Sequence, residues 1–230
     1  ILAAVGSAVG LGNLWGFAYR SSQGGGAAFV LLYIFVVLVV GIPIFVAEFS
    51  LGRSTNTSAV LAPIKAAGKK WAALGFLFLI APISIASYYA VIMGWTADIF
   101  FQSIFVGLPE NTDQAGELFN LIHNGSRDFI GQIFSLVLAF FIVSGGITKG
   151  IEKLNKICMP ILFIILFGLV IWAAFLGNAG EGYRNFLFNF NLSQLFNPST
   201  IRNAFSQAFF SLSLGIGIMI TYASYLNKKS

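Results

Sequence analysis

Two segments of this chain place glycines and uncharged polar side chains inside long apolar runs. Residues 6–13 have the sequence GSAVGLGN, and residues 211–217 have the sequence SLSLGIG, with Gln207 one turn earlier. Glycine is a poor helix former, so these clusters predict two membrane helices that are interrupted near their middle. Hydrocarbon cannot satisfy the backbone groups that an interruption frees, so it survives only beside protein, water or an ion. Such breaks are typical of sites that coordinate a small cation and a charged head group.

The same residues allow a simpler interpretation, in which small side chains only let helices pack closely. Gly6 and Gly10 lie four positions apart, which is the spacing of a small-residue helix contact in membranes. Two interrupted helices in one chain are harder to explain in this way, because paired interruptions in corresponding repeats point to a transporter binding site. On these residues alone, both interpretations stay open.

Composition identifies the chain as an integral membrane protein. Hydrophobic residues make up 57% of it and charged residues only 9%, whereas about a quarter of the residues in a soluble domain are charged. The single cysteine, Cys158, lies in an apolar run, so the sequence predicts neither a disulfide framework nor a thiolate metal site. No nucleophile–base pair, metal cluster or phosphate-binding loop indicates an enzyme.

Six charge-poor runs predict an all-α fold that crosses the membrane six times. The predicted spans cover residues 1–20, 27–50, 72–105, 129–146, 154–177 and 200–225. The third span is longer than a perpendicular crossing needs, which indicates a strong tilt or an extension beyond the bilayer. Residues 58–70 favour a short helix along the membrane surface, and the aromatic-rich run 183–191 favours an ordered cap or an interfacial anchor.

The charges of the connecting segments alternate along the chain. Loop 51–71 carries four basic residues and no acid, whereas loop 107–128 carries four acids and one arginine. Loop 147–153 is basic again, loop 178–199 is balanced, and two lysines stand at 228–229. By the positive-inside rule, the basic loops and the N-terminus lie in the cytoplasm of a multi-pass cell-membrane protein. The net charge of +5 therefore reflects topology in a lipid bilayer, and it does not indicate nucleic-acid binding.

Six collinear segments resemble the neurotransmitter:sodium symporter family, in particular its bacterial amino-acid branch. They are GSAVGLGNLWGF (6–17), GGGAAF (24–29), GIPIFVAEFSLGR (41–53), SYYAVIMGW (87–95), KGIEKLNKICMP (149–160) and QAFFSLSLGIGIMITYASY (207–225). The resemblance implies a five-plus-five inverted-repeat fold with broken helices 1 and 6, of which this chain would cover spans 1–6 of about twelve. Residues 1–177 would form the first repeat, 178–199 an extracellular loop, and 200–230 the span that opens the second repeat, in a chain truncated at both ends.

The function that this resemblance implies is sodium-coupled symport of a neutral amino acid by alternating access, without enzymatic activity. One alternative is a proton-coupled amino-acid permease of the same fold, which would not need the sodium ligands supplied by Asn13 and Ser211. Another is a non-transporting membrane assembly partner, whose glycines would serve helix packing.

By the same resemblance, two sodium sites draw on this chain. The first takes the carbonyl of Ala8, the amide oxygen of Asn13, and the hydroxyl and carbonyl of Ser211. These are uncharged, hard oxygen donors, which suit a monovalent cation. The second takes the carbonyls of Gly6 and Val9, and its hydroxyl ligands would lie beyond this chain.

The resemblance also implies a substrate site for an amino acid. The carboxylate would meet the amides around Leu11 and Gly12 and the hydroxyl of Tyr89. The ammonium would meet the carbonyls of Ala8, Phe210 and Ser211, and the side chain would contact Ile85, Tyr89, Ser213 and Ile216. Monoamine-transporting members carry an aspartate where this chain has Gly10, so we expect a substrate that brings its own carboxylate.

The resemblance also implies gating residues and a chloride site. Phe210 matches the aromatic lid, but the family pattern W-R-F-P-Y is replaced by WGFAYR at 15–20, so Gly16 holds the gate-arginine position. Arg20, one turn further out, either serves as the gate or anchors the span at the interface. Tyr33, Gln207 and Ser211 match chloride ligands. The two acids nearest the membrane, Glu48 and Asp98, are expected to have structural roles.

Overall fold

The computed structural model describes residues 6, 9–10, 12–123, 126–188 and 190–226. Of the described residues, 83% are helical, and their extended structure is limited to a bridge between Gly26 and Phe190. The predicted all-α fold is confirmed.

Twelve α-helices are formed in these ranges. They are α1 (Phe17–Gln23), α2 (Ala27–Val36), α3 (Ile42–Thr55), α4 (Ala62–Ala67), α5 (Ala72–Phe105), α6 (Thr112–His123), α7 (Ser126–Ser144), α8 (Glu152–Ala174), α9 (Ala179–Leu187), α10 (Leu192–Leu195), α11 (Pro198–Ser211) and α12 (Ile218–Ser224). Single π-helical turns lead into α1 (Gly12–Gly16), α3 (Val37–Gly41) and α8 (Ile147–Ile151). A 3₁₀ turn at Lys69–Trp71 precedes α5.

Within the described part of the chain, four helical segments are long and apolar enough to cross a bilayer. They are Ala27–Thr55, Lys69–Phe105, Arg127–Ser144 and Lys149–Ala174, which correspond to the second to fifth predicted spans. Lys69–Phe105 is 37 residues long, in line with the extended third span. The predicted sixth span is divided into α11 and α12 by a non-helical segment at 212–217, and much of the predicted first span lies outside the described residues.

The chain divides into two compact units, one made of Ile1–Leu79 with Asn155–Ser230 and the other of Ile80–Leu154. In the first unit α3 packs along α12. This contact requires small residues, because a side chain on Gly52 would collide with the carbonyl of Ile220. Ile220 is fully buried there against Ala59 and Ala62. The packing holds α12 against the C-terminal half of the second predicted span.

A second packing contact in this unit joins α2 to α11. Its centre consists of small buried side chains, among them Ala28, Ala204 and Ala208, so the two backbones approach closely. Helices α9 and α10 also pack on α2. Gly26 has a φ of 59° and faces the carbonyl of Asn185, which leaves no room for a Cβ. Asn185 and Phe190, two residues of the run 183–191, thus lie against Gly26 directly before α2.

The second unit contains α6, a helix that the sequence analysis did not predict in loop 107–128. Asn111 accepts a hydrogen bond from the Gln114 amide (2.9 Å), while the Gln114 side chain accepts one from the Glu110 amide (3.0 Å). This reciprocal capping stabilises a helix start, and its residue pattern was visible in the sequence.

Elsewhere in the second unit, Asp98 forms an ion pair with Arg127 at 2.7 Å, which agrees with a structural role for Asp98.

Candidate functional site

The interruption between α11 and α12 is built from residues with unusual backbone angles. Ser213, Gly215 and Gly217 have φ values of 53°, 78° and 74°. A helix cannot continue through such angles, so α11 ends at Ser211 and α12 begins at Ile218. At this end of α11, the Phe210 carbonyl accepts the Ser213 amide at 3.1 Å.

The first predicted break has a related form. Val9 and Gly10 lie outside any helix, and the chain then enters the π-helical turn Gly12–Gly16. The Gly10 carbonyl accepts the amides of Asn13 at 2.9 Å and Leu14 at 3.2 Å. π-Helical turns widen the backbone and are frequent at functional sites. Ala8 and Leu11, two of the predicted site residues, lie outside the described part of the chain.

Polar side chains from the two interrupted helices meet in one hydrogen-bonded cluster. Ser211 Oγ donates to Asn13 Oδ1 at 2.6 Å. Gln207 Nε2 lies 2.9 Å from Asn13 Oδ1, 3.1 Å from Ser211 Oγ and 3.3 Å from the Gly12 carbonyl. Gln207 is fully buried. The structure therefore brings together four residues that the sequence analysis had assigned to sodium, substrate or chloride.

This donor set is suited to a small monovalent cation. Asn13 Oδ1, Ser211 Oγ and the Gly12 carbonyl are uncharged oxygens gathered where an apolar bundle is interrupted. Hard cations prefer such oxygens, and the absence of a carboxylate from the cluster limits the attraction for divalent ions. The cluster also contains donors, since the Gln207 amide and the Ser211 hydroxyl carry hydrogens.

Phe210 lies directly against Gly12, at the start of the π-helical turn that leads into α1. A Cβ built on Gly12 would overlap the far edge of the Phe210 ring, so only glycine allows this approach. Ser213 is buried and Ile216 half-buried in the segment that follows. Ile85 and Tyr89, the other predicted pocket residues, are half-buried on α5 in the second unit.

Arg20 reaches the cluster from the C-terminal end of the first predicted span. Its Nη1 donates to Gln207 Oε1 at 2.6 Å, while Gly16 has no atom within 4 Å of the position a Cβ would take. The guanidinium thus contacts a side chain of the interrupted sixth span. Arg20 was expected to act as a gate or an anchor, and its contact with Gln207 was not predicted.

Two other groups of predicted ligands make different contacts. The ring of Tyr33 packs against the rings of Phe17 and Phe29, with centroid distances of 5.1 Å and 6.4 Å. Within the described residues, no hydrogen bond joins it to Gln207 or Ser211. Gly6, assigned to the second sodium site together with Val9, faces the side chain of Asn155.

Sequence reasoning missed the contact that Glu48 makes. Glu48 Oε1 accepts the backbone amide of Gly215 at 2.6 Å, so an acid of α3 holds the centre of the α11–α12 interruption. The carboxylate side chain is buried, 9% exposed. The signal was available, because Glu48 is the one charged residue between positions 27 and 52, and acids within membrane spans are functional candidates by default.

Comparison with known proteins agrees with this architecture. The chain matches the sequence model of the sodium:neurotransmitter symporter family over residues 1–125 and 122–230. An uncharacterised sodium-dependent transporter of Methanocaldococcus jannaschii is 41% identical over all of this chain and 48% of its own length. The mouse sodium-dependent neutral amino acid transporter B(0)AT2 is 31% identical, over all of this chain and 35% of its own.

A solved structure shares the fold as well as the sequence. The crystal structure of MhsT in complex with L-phenylalanine superposes with a TM-score of 0.90 at 42% identity, covering all of this chain and 52% of that one. The chain spans about half the length of the prokaryotic relatives that it matches. Both the family match and the fold agree with the predicted resemblance, and the chain belongs to the sodium:neurotransmitter symporter family.

Proposed function

We propose that the full-length protein is a sodium-coupled symporter that moves a neutral amino acid across the cytoplasmic membrane by alternating access. The observation that carries this proposal is the cluster of Asn13, Gln207 and Ser211, which joins the two interrupted helices through uncharged oxygens. The relatives of this chain support the proposal, since B(0)AT2 is named a neutral amino acid transporter and MhsT was crystallised with L-phenylalanine.

Sodium enters this scheme as a transported ion. In the first site, Asn13 Oδ1 and the oxygens of Ser211 are the ligands, together with the Ala8 carbonyl. The Ser211 hydroxyl, which now donates to Asn13, would turn its proton away and present a lone pair to the cation. The backbone carbonyls of Gly6 and Val9 serve the second site.

The amino acid binds between the ends of the half-helices. Amides around Leu11 and Gly12 receive the carboxylate at a helix start, and the carbonyls of Ala8, Phe210 and Ser211 receive the ammonium. Both charges then match the helix dipoles, which are positive at N-termini and negative at C-termini. The Tyr89 hydroxyl donates to the carboxylate, and Gly10 leaves the site without an acid of its own.

Side-chain selectivity and gating follow from the neighbouring residues. Phe210 covers the substrate, and its ring already rests on Gly12. The side-chain pocket is formed by Ile85, Tyr89, Ser213 and Ile216. Arg20 closes the outer side in place of the arginine that position 16 lacks. Chloride, if transport requires it, is bound by Tyr33, Gln207 and Ser211.

Uptake into proteoliposomes tests the proposal. Purified full-length protein is reconstituted, and entry of labelled L-phenylalanine and L-leucine is compared under inward gradients of Na⁺, K⁺ or protons. We expect accumulation only with the Na⁺ gradient. Accumulation driven by protons without Na⁺ would favour the permease alternative. Absence of uptake and of amino-acid binding under every gradient would favour an assembly partner.

A further inference from the structure

Arg20 stands at the end of an unbroken chain of hydrogen bonds that leads to the proposed sodium site. Its Nη1 contacts Gln207 Oε1 at 2.6 Å, and the amide nitrogen of the same Gln207 contacts Asn13 Oδ1 at 2.9 Å. All three residues belong to the first compact unit. A single buried amide therefore separates the guanidinium from the sodium ligand.

The donor and acceptor types fix the direction of every bond in this chain. Arginine only donates hydrogen bonds, so the atom of Gln207 that faces Arg20 must be its oxygen. The Gln207 NH₂ group must then point the other way, towards Asn13 and Ser211. Because this NH₂ group only donates, Asn13 has to present its oxygen rather than its nitrogen. The orientation of the Asn13 amide thus depends on Arg20.

Burial makes this dependence strong. Gln207 has no exposed surface, and a buried polar group that loses its partner is costly. The bond from Arg20 is short and charge-assisted, which makes it stronger than a neutral one. Without Arg20, the longer 3.3 Å bond from Gln207 Nε2 to the Gly12 carbonyl is left to oppose reversal of the Gln207 amide. A reversed amide would place its oxygen against Asn13 Oδ1.

We propose that Arg20 is a positioning residue of the first sodium site, acting through the orientation of the Gln207 amide. This inference rests on the proposed function, since it takes Asn13 as a sodium ligand. It goes beyond a gating role: a gate changes how fast ligands enter and leave, whereas a positioning residue changes the equilibrium affinity for Na⁺. Gly16 has no side chain that could substitute for Arg20 in this role.

Sodium-induced thermal stabilisation of the purified full-length protein measures that affinity without any amino acid. NaCl is titrated against KCl at constant ionic strength, and the half-saturating Na⁺ concentration is taken from the rise in melting temperature. Arg20→Lys keeps a pure donor, so we expect a half-saturating concentration within about twofold of wild type. Arg20→Gln and Arg20→Ala remove the fixed donor, and we expect an increase of at least about fivefold.

Arg202→Ala is the matched control, because Arg202 is an exposed arginine on α11, five positions before Gln207. It removes the same charge, from the helix that carries Gln207, and we expect sodium affinity to stay at the wild-type value. If Arg202→Ala weakens sodium binding as much as Arg20→Ala does, the loss of any positive charge explains the effect, and the positioning role is wrong.

A double-mutant cycle separates the Gln207 route from every other effect of Arg20. In a Gln207→Ala background, Arg20→Ala should change sodium affinity by less than about twofold, because the intermediate amide is gone. An equal change in both backgrounds would overturn the proposal, as would wild-type affinity in both Arg20→Gln and Arg20→Ala. Should the alanine variant not fold, the lysine and glutamine variants decide, since both keep a polar side chain.

The proposed function can fail separately. If wild type shows no sodium-specific stabilisation, both the sodium site and the role of Arg20 are wrong. If wild type is stabilised and Asn13→Ala removes the effect, while Arg20→Gln and Arg20→Ala match wild type, the sodium site stands and only the positioning role is wrong.

Discussion

The hydroxyl of Ser211 donates a 2.6 Å hydrogen bond to the amide oxygen of Asn13, although 198 positions separate the two residues in the chain. Each residue stands beside a helix interruption, and together they join the first and sixth spans. An ion bound at this point would contact both spans at once. Its arrival and departure would therefore favour different relative arrangements of those spans, as coupling requires.

Replacing Asn13 tests the first sodium site. Asn13→Ala removes one oxygen ligand, and we expect sodium-dependent binding of labelled L-phenylalanine to weaken at least about tenfold, or about 1.4 kcal/mol. Asn178→Ala is the matched control, because Asn178 is exposed and its side chain makes no capping hydrogen bond. Unchanged sodium dependence in Asn13→Ala would contradict the assignment.

The contact between Gly12 and Phe210 predicts different outcomes for two glycines. Gly12→Ala forces the Phe210 ring to move, and overpacking of this kind costs about 1–3 kcal/mol. We expect a lower melting temperature and weaker amino-acid binding. Gly16→Ala, with no atom near its Cβ, should match wild type. In a Phe210→Leu background, Gly12→Ala should lower the melting temperature by less than it does in wild type. An equally large decrease in both backgrounds would contradict the contact between Gly12 and Phe210.

The bond from Gly215 to Glu48 predicts that this acid stabilises the α11–α12 interruption. Glu48→Ala removes the acceptor of the Gly215 amide, and losing one hydrogen bond costs on the order of 0.5–3 kcal/mol. We expect a lower melting temperature in detergent, and a smaller decrease for Glu48→Gln, which keeps an acceptor oxygen. Glu117→Ala, an exposed acid on α6, is the control. A Glu48→Ala protein that melts like wild type would refute this role.

Adjacent tyrosines on α5 offer a matched pair for the substrate site. If the Tyr89 hydroxyl donates to the substrate carboxylate, Tyr89→Phe should lower L-phenylalanine affinity by about 1.5–3 kcal/mol while membrane insertion is retained. Tyr88 is 46% exposed, and Tyr88→Phe should bind normally. Equilibrium binding to purified protein distinguishes them. Equal affinities in both variants would place the carboxylate elsewhere.

Most of the fold was predictable because membrane helices carry strong one-dimensional signals. Long apolar runs predicted the spans that became Ala27–Thr55 and Lys149–Ala174, and glycines at 215 and 217 predicted the break between α11 and α12. Helix α6 was missed because its residues are polar and its start depends on capping by Asn111 and Gln114. Hydropathy identifies long apolar helices, but it does not identify a short polar helix whose start depends on capping side chains.

The site was predictable in its residue types but not in its partners. Asn13, Gln207 and Ser211 were selected individually, and the structure brings them together. The bonds from Arg20 to Gln207 and from Gly215 to Glu48 were not predicted. Both depend on how distant helices pack, and packing is decided by contacts such as Gly52 against Ile220, which no local pattern encodes.

Coupled flux is the most direct test of the central claim, that sodium held between Asn13 and Ser211 drives amino-acid transport. Entry of ²²Na⁺ and of labelled L-phenylalanine is measured in the same proteoliposomes for wild type and Asn13→Ala. We predict that Na⁺ and amino acid enter wild-type vesicles in a fixed ratio, and that Asn13→Ala lowers or abolishes this ratio. Amino-acid accumulation without ²²Na⁺ entry, or a ratio unchanged by Asn13→Ala, would contradict the claim.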